Sequence, residues 1–235
     1  MPSRAPLPVV MISGLLASAR LYADQIPALW RFGPVTVADH TRDDSMAAIA
    51  ARILADAPPV FALVGLSMGG YISLEIMRQA PGRVRRLALL DTSARADRPD
   101  QTERRRAQMQ IAREGRLEDI IDQQYPLIVD RSRRDDPVLR GIVTAMAKET
   151  GEDVFIRQQT AIIGRPDSRQ DLAAIACPTL VLVGDGDQLI PPEHSQELAD
   201  GIAGSRLVIV PACGHLSTVE RPEAVTSALV NWLSA

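Results

Sequence analysis

The sequence contains few of the residues that mark several specialised classes of protein. Its two cysteines, Cys177 and Cys213, cannot build a disulfide framework, and with three histidines no Cys/His cluster has the spacing of a zinc site. A net charge of −3 offers no electrostatic basis for binding nucleic acid or an acidic membrane surface. No apolar run reaches the ~20 residues of a membrane span. The sequence is therefore typical of a protein in the reducing cytoplasm, with neither nucleic acid nor membrane as a partner.

The chain does contain enough apolar residues for one sizeable core, since 46% of its 235 residues are hydrophobic and 23% are charged. Arg4 precedes an apolar stretch at 9–19 that superficially resembles a signal peptide. Gly14 interrupts this stretch, and the positive region before it is a single arginine. We therefore interpret the stretch as a core strand followed by a turn.

Apolar runs typical of buried strands alternate with segments of helical periodicity. The six predicted strands are at 7–13, 33–39, 60–65, 83–91, 178–184 and 205–211. Such alternation indicates the α/β class, with a mostly parallel sheet covered by helices on both faces. Residues 92–170 instead hold four segments with helical periodicity and no clear strand. The sequence thus predicts a core formed by residues 1–91 and 171–235, with residues 92–170 inserted as a helical cap.

A Gly-Leu-Ser-Met-Gly stretch at 65–69 lies where the third predicted strand ends and a helix begins. A turn this sharp crowds the backbone, so small residues are needed two positions before and after Ser67. It would lift the Ser67 hydroxyl above the carboxyl edge of the sheet, as in a nucleophile. The alternative is an ordinary serine that caps the helix among turn glycines.

A nucleophilic serine needs a histidine held by a carboxylate, and on this type of sheet the acid and then the histidine follow the serine in the chain. His215 follows the sixth predicted strand, and Asp185 and Asp187 follow the fifth. These strand ends share the edge that carries Ser67. Asp187 is the favoured acid, Asp91 at the end of the fourth strand is the second choice, and Asp185 is expected to stabilise its loop.

The other two histidines are weaker candidates for the base. His40 also follows a predicted strand, but it precedes Ser67 in the chain, and we interpret it as a loop residue near the mouth of the site. His194 lies near the first turn of a predicted helix and is expected to be solvated. Cys213, two residues before His215, is expected to be a buried small residue.

Three ordered motifs give the chain a resemblance to the α/β-hydrolase superfamily over essentially its whole length. They are GLSMGG at 65–70, GDGDQLIPP at 184–192 and GHLSTVERPE at 214–223. The last two are similar to the acid-loop and histidine-loop signatures of the branch that contains enol-lactonases, carboxylesterases, cofactor-free haloperoxidase-like enzymes and carbon–carbon bond hydrolases. In that branch the acid lies three residues after the glycine, which points to Asp187.

The resemblance also implies an oxyanion hole formed by the main-chain N–H groups of Leu15 and Met68. The family usually has His-Gly after its first core strand, whereas this chain has Ser13 and Gly14. Because both donors are main-chain groups, this difference need not remove them. Ser13 is a candidate for offering a hydroxyl to the site.

The expected reaction is hydrolysis of a small-molecule carboxylic ester or lactone through an acyl-enzyme, with Ser67, His215 and Asp187 as the triad and with neither metal nor organic cofactor. The same triad is also compatible with carbon–carbon bond hydrolysis, elimination or perhydrolysis. A further alternative is a non-catalytic binder of a small ligand on the same fold. The sequence does not separate these possibilities.

Specificity is expected to lie in the inserted helices. With 3% aromatic residues in the chain, the pocket should be aliphatic. Two groups of arginines in the insertion form either a solvated face or a site for an anionic substrate: Arg104, Arg105 and Arg106, and Arg131, Arg133 and Arg134.

Overall fold

A computed structural model describes residues 6–235, so Arg4 lies outside the described residues. Six strands form one sheet in the order β2-β1-β3-β4-β5-β6, and every neighbouring pair is parallel. The strands are β1 Val9–Ile12, β2 Val35–Val37, β3 Phe61–Leu66, β4 Val84–Leu90, β5 Thr179–Gly184 and β6 Arg206–Val210. The prediction of a parallel α/β sheet is confirmed, and the stretch that resembled a signal peptide begins with a core strand.

The α-helices of the described residues are α1 Ile26–Leu29, α2 Met46–Asp56, α3 Met68–Gln79, α4 Pro99–Arg113, α5 Leu117–Ile128, α6 Pro137–Thr150, α7 Glu152–Ile163, α8 Pro192–Gly201, α9 Ser217–Glu220 and α10 Pro222–Ser234. Helices α4–α7 lie between β4 and β5 in the chain, and residues 92–170 are called the insertion below. No helix within residues 6–235 has both the length and the apolar character needed to cross a membrane.

The sheet is covered on both faces, and β1 and β3 are buried at every position. In β1, Val9 and Met11 belong to one hydrophobic cluster, whereas Val10 and Ile12 belong to a second. This alternation is what a strand with two covered faces produces, since successive side chains point to opposite sides. The insertion adds residues such as Phe155 to the first cluster. Its helices therefore share a core with the sheet.

Two glycines allow α3 to start very close to the sheet. A Cβ placed on Gly65 would lie 2.3 Å from the carbonyl oxygen of Gly69, and a Cβ placed on Gly69 would lie 2.0 Å from the carbonyl oxygen of Ile12. Neither position has room for a side chain. The sequence-based expectation that small residues must flank Ser67 at two positions on either side is confirmed.

Candidate active site

Ser67 lies at the sharp turn between β3 and α3, with a φ of 56° that non-glycine residues adopt infrequently. Its backbone is held on both sides: its N–H donates to the carbonyl of Leu90 at 2.9 Å, and its carbonyl accepts from the hydroxyl of Thr92 at 2.7 Å. Its side chain makes no capping hydrogen bond to α3. The interpretation of Ser67 as an ordinary helix cap is therefore wrong, and its hydroxyl is free for another partner.

That partner is His215, whose Nε2 lies 2.9 Å from Ser67 Oγ. The other ring nitrogen, Nδ1, lies 2.7 Å from Asp187 Oδ2. Asp187 is itself fixed, because its Oδ1 accepts from the main-chain N–H groups of Leu189 and Ile190, each at 2.9 Å. All three candidate residues are buried. The structure therefore brings Ser67, His215 and Asp187 into one continuous line of hydrogen bonds.

The environment of His215 suits a base. Burial disfavours the charged imidazolium, but the charge and the hydrogen bond of Asp187 outweigh burial, so the pKa of His215 is raised above its usual value. A carboxylate at Nδ1 favours the tautomer with the proton on that nitrogen. The lone pair on Nε2 then faces the Ser67 hydroxyl and can accept its proton.

Asp91, the second choice for the acid, makes no hydrogen bond to His215. Its Oδ1 accepts from the N–H of Gly184 at 3.1 Å, and its Oδ2 accepts from the hydroxyl of Ser217 at 2.5 Å. It is fully buried. Burial first, and then the nearby charge of Asp187, raise the pKa of Asp91 to about 8. The geometry thus favours Asp187 as the partner of His215.

The Asp91 carboxyl should make the protein less stable as the pH rises. Asp91 releases its proton near its ordinary pKa in the unfolded chain, but only near pH 8 in the folded protein. Between these values the folded state binds more protons, so the free energy of unfolding falls with rising pH, by about 1 kcal/mol per unit from this group. We expect Asp91→Asn to flatten that slope, measured by urea unfolding at intervals from pH 5 to pH 8. If the free energy of unfolding falls with pH equally in both proteins, folding does not raise the pKa of Asp91.

Asp185 and Cys213 behave as the sequence suggested. Asp185 Oδ1 accepts from the N–H of Cys213 at 3.3 Å, which stabilises the loop after β5. Cys213 is fully buried, and burial raises the pKa of its thiol well above the usual range. Such a thiol is not a nucleophile at neutral pH.

The candidate oxyanion donors lie on both sides of Ser67. The N–H of Leu15 and the N–H of Met68 have no acceptor among the hydrogen bonds of the described residues. The loop that carries Leu15 lies against the serine, since a Cβ placed on Gly14 would be 3.4 Å from Ser67 Cβ. Ser13 does not offer its hydroxyl to the site, because Ser13 Oγ donates to the carbonyl of Ser18 at 3.0 Å within the same loop.

The two other histidines are more constrained than the sequence indicated. His40 is buried, and its Nε2 lies 3.2 Å from the carbonyl oxygen of Gly14, so it supports the loop that carries Leu15. Burial is the largest cause of a lowered His40 pKa, so it is a neutral residue at physiological pH. His194 is half-buried, and its Nδ1 lies 2.9 Å from Ser93 Oγ. His194 is therefore only partly solvated, whereas the sequence suggested a solvated side chain.

Three of the six insertion arginines are engaged in holding the structure together. Arg105 forms an ion pair with Asp97 at 2.7 Å, and the buried carboxylate of Asp97 also forms an ion pair with Arg165 at 2.7 Å. Arg133 donates to the carbonyl of Glu220 at 2.9 Å, and Arg134 donates to the carbonyl of Pro126 at 2.7 Å. These contacts account for Arg105 and Arg133 without an anionic substrate, whereas Arg134 Nε is buried and has no hydrogen-bond partner among residues 6–235. Among residues 6–235, no group of three or more His, Cys, Asp or Glu side chains could hold a metal ion.

The chain is similar to known hydrolases over almost its whole length. The model of the alpha/beta hydrolase family matches residues 9–228. Among solved structures, a thermophilic esterase from Thermogutta terrifontis has a TM-score of 0.88 and 30% sequence identity, covering 97% of this chain and 89% of its own. The pimeloyl-[acyl-carrier protein] methyl ester esterase of Pectobacterium atrosepticum is 27% identical over 236 residues, 96% of this chain and 88% of its own length.

Similar proteins are not all esterases. The 2-hydroxy-6-oxononadienedioate/2-hydroxy-6-oxononatrienedioate hydrolase of Escherichia coli K12 is 28% identical over 177 residues. That match covers 73% of this chain and 62% of the E. coli protein. The similar proteins therefore include enzymes that act on different substrates. The substrate of this chain has to be inferred from the residues of its own site.

Proposed function

Because this chain belongs to the alpha/beta hydrolase family, we propose that it is a serine hydrolase that cleaves a carboxylic ester or a lactone through an acyl-enzyme. The observation that carries the proposal is the line of hydrogen bonds from Ser67 Oγ through both ring nitrogens of His215 to Asp187, at 2.9 and 2.7 Å. Nucleophile, base and orienting acid each have the partner that this chemistry needs. The esterases among the similar proteins support the same reaction class.

In the proposed mechanism, His215 Nε2 takes the Ser67 proton as Oγ attacks the substrate carbonyl. Asp187 stabilises the imidazolium that forms. The N–H groups of Leu15 and Met68 hold the negative oxygen of the tetrahedral intermediate. The intermediate collapses as His215 protonates the leaving alkoxide. Water then attacks the acyl-enzyme, with His215 again as the base, and this releases the acid and restores the Ser67 hydroxyl.

The direct test is covalent labelling of the folded protein by a fluorophosphonate, followed by peptide mass analysis. We expect one adduct, on the peptide that contains Ser67, because only an activated serine displaces the fluoride. Heat-unfolded protein, in which the triad geometry is lost, should not be labelled. A p-nitrophenyl ester series of increasing acyl length, with a lactone beside it, should show turnover that stops in the labelled protein.

Two outcomes would change the conclusion in different ways. Labelling of Ser67 without turnover of any ester or lactone would keep the triad and favour carbon–carbon bond hydrolysis, elimination or perhydrolysis. Neither labelling nor turnover in a folded sample would overturn the serine hydrolase proposal and favour a ligand-binding role for the fold.

A further inference from the structure

Gln158, on α7 of the insertion, contacts the loop that holds the candidate oxyanion donor Leu15. Its Oε1 accepts a hydrogen bond from the N–H of Leu16 at 3.1 Å, although the two residues are 142 positions apart in the chain. Leu16 has a φ of 56°, a left-handed conformation that non-glycine residues adopt infrequently. The side chain of Gln158 thus reaches a constrained turn directly beside Leu15.

The other half of the same amide has no partner. Gln158 is fully buried, and its Nε2 has no hydrogen-bond acceptor among the residues that the structure describes. Because Leu16 N–H is a donor, it fixes the oxygen of the amide toward the loop and leaves the NH2 group as the free half. A buried donor without an acceptor costs roughly 1–3 kcal/mol. An acceptor from outside the protein chain, either an ordered water or a ligand, would satisfy this group.

The neighbouring residue Gln159 shows that this helix can satisfy a buried amide. Gln159 is equally buried, its Nε2 donates to Gln108 Oε1 at 3.1 Å, and its Oε1 accepts from Arg105 at 2.8 Å. Both partners of Gln159 lie on α4, so its role is to join two helices of the insertion. Gln158 instead faces the loop beside the candidate nucleophile, and the insertion supplies no acceptor for its NH2 group.

Gln158 lies against the loop that approaches the candidate nucleophile Ser67. Leu16, which it binds, follows Leu15 directly, and the same loop approaches Ser67 at Gly14. An acyl group attached to Ser67, with its oxygen on the N–H of Leu15, would occupy the space next to this loop. The free NH2 group is carried by the same carbon as the Oε1 that touches Leu16.

We propose that Gln158 determines specificity by donating a hydrogen bond from Nε2 to a second, uncharged carbonyl on the acyl part of the substrate. The proposal deepens the serine hydrolase function and rests on it. The acceptor is uncharged because a neutral amide does not compensate for burying a carboxylate. The substrate class is then an oxo ester or an oxo lactone rather than a simple alkyl ester.

The test compares two esters that differ only in this carbonyl, butyl acetoacetate and butyl butanoate. Dissociation constants are measured by ligand-observed NMR in Ser67→Ala protein, so that binding is read without turnover. We expect the acetoacetate to bind about tenfold more tightly, which corresponds to one hydrogen bond to a buried donor. In Ser67→Ala/Gln158→Met, which keeps the shape but removes the amide, we expect the ratio to fall to within about twofold of one, because that hydrogen bond is lost.

Gln159→Met in the same background is the matched control. It removes an equally buried amide on the next residue and should lower the midpoint of urea unfolding while leaving the tenfold ratio intact. A purely structural role for Gln158 would weaken the binding of both esters equally and keep their ratio, and that result would overturn the proposal.

Equal affinities for the two esters in Ser67→Ala alone, or no binding of the acetoacetate, would also overturn it, whether or not Gln158→Met folds. The two proposals fail separately. If selectivity depends on Gln158 but the fluorophosphonate does not label Ser67, the serine hydrolase function is wrong and the binding role of Gln158 stands.

Discussion

Ser67→Ala is expected to lower kcat by about 10⁵-fold or more on the best p-nitrophenyl ester of the series, because it removes the atom that forms the acyl-enzyme. The fold should tolerate the change. Ser67 makes no side-chain capping bond, and a methyl group fits where its Cβ already lies. The measurement is steady-state kinetics on both proteins, with circular dichroism to show that the variant is folded.

A double variant makes this prediction sharper. In a triad that acts as a unit, removal of the second member costs little once the first is gone. Ser67→Ala/His215→Ala should therefore be about as slow as Ser67→Ala alone. Ser195→Ala is the control: Ser195 is a fully buried serine on α8 whose hydroxyl has no partner among the described residues, and its loss should leave kcat unchanged. Nearly full activity of the Ser67→Ala protein would contradict the acyl-enzyme mechanism.

The sheet and the candidate triad could be predicted because both depend on local patterns. Apolar runs of strand length, interrupted by helical periodicity, are enough to indicate parallel strands, and in such a sheet all carboxyl ends meet at one edge. Ser67, Asp187 and His215 each follow one of those strands. Their meeting at 2.9 and 2.7 Å therefore follows from topology, once each residue is placed at its strand end.

The residues that support the loop of the candidate oxyanion donor Leu15 could not be predicted in the same way. His40 and Gln158 bind the same loop, at Gly14 and at Leu16, from distant parts of the chain. Neither lies in a motif, and no periodicity in the sequence pairs a residue of α7 with a residue that follows β1. Contacts of this kind depend on how the insertion packs onto the sheet. They become visible only through burial and through an amide that lacks one partner.

The sequence also does not predict which of two candidate carboxylates points toward the histidine. Asp91 and Asp187 both follow strands of the same sheet edge, and position alone leaves both as possible partners of His215. The structure separates them by their hydrogen bonds, since Asp91 is occupied by Gly184 and Ser217, whereas Asp187 reaches the ring. Replacing the two aspartates in turn therefore tests the assignment directly.

Asp187→Asn is expected to lower kcat by about 10⁴-fold at neutral pH. The asparagine amide would donate to His215 Nδ1, which places the ring proton on Nε2 and prevents that nitrogen from accepting the Ser67 proton. Asp91→Asn should remain within about tenfold of the parent protein, because its amide can accept from Gly184 N–H and donate to the Ser217 hydroxyl. The measurement is kcat for each variant on one ester. The reverse ranking would assign the acid to Asp91.

The pH profile separates the role of Asp187 in orienting the ring from its effect on charge. His215 acts as a base only when neutral, so kcat/KM falls as the pH drops through its pKa, which Asp187 holds above the usual value of 6.5. We expect the acidic limb of the parent profile to lie above pH 6.5 and to move to lower pH in Asp187→Asn, where burial is no longer opposed by the carboxylate. Asp91→Asn should move the limb far less, because Asp91 makes no hydrogen bond to the ring. An acidic limb that stays in place in Asp187→Asn would show that another group sets the pKa of the base.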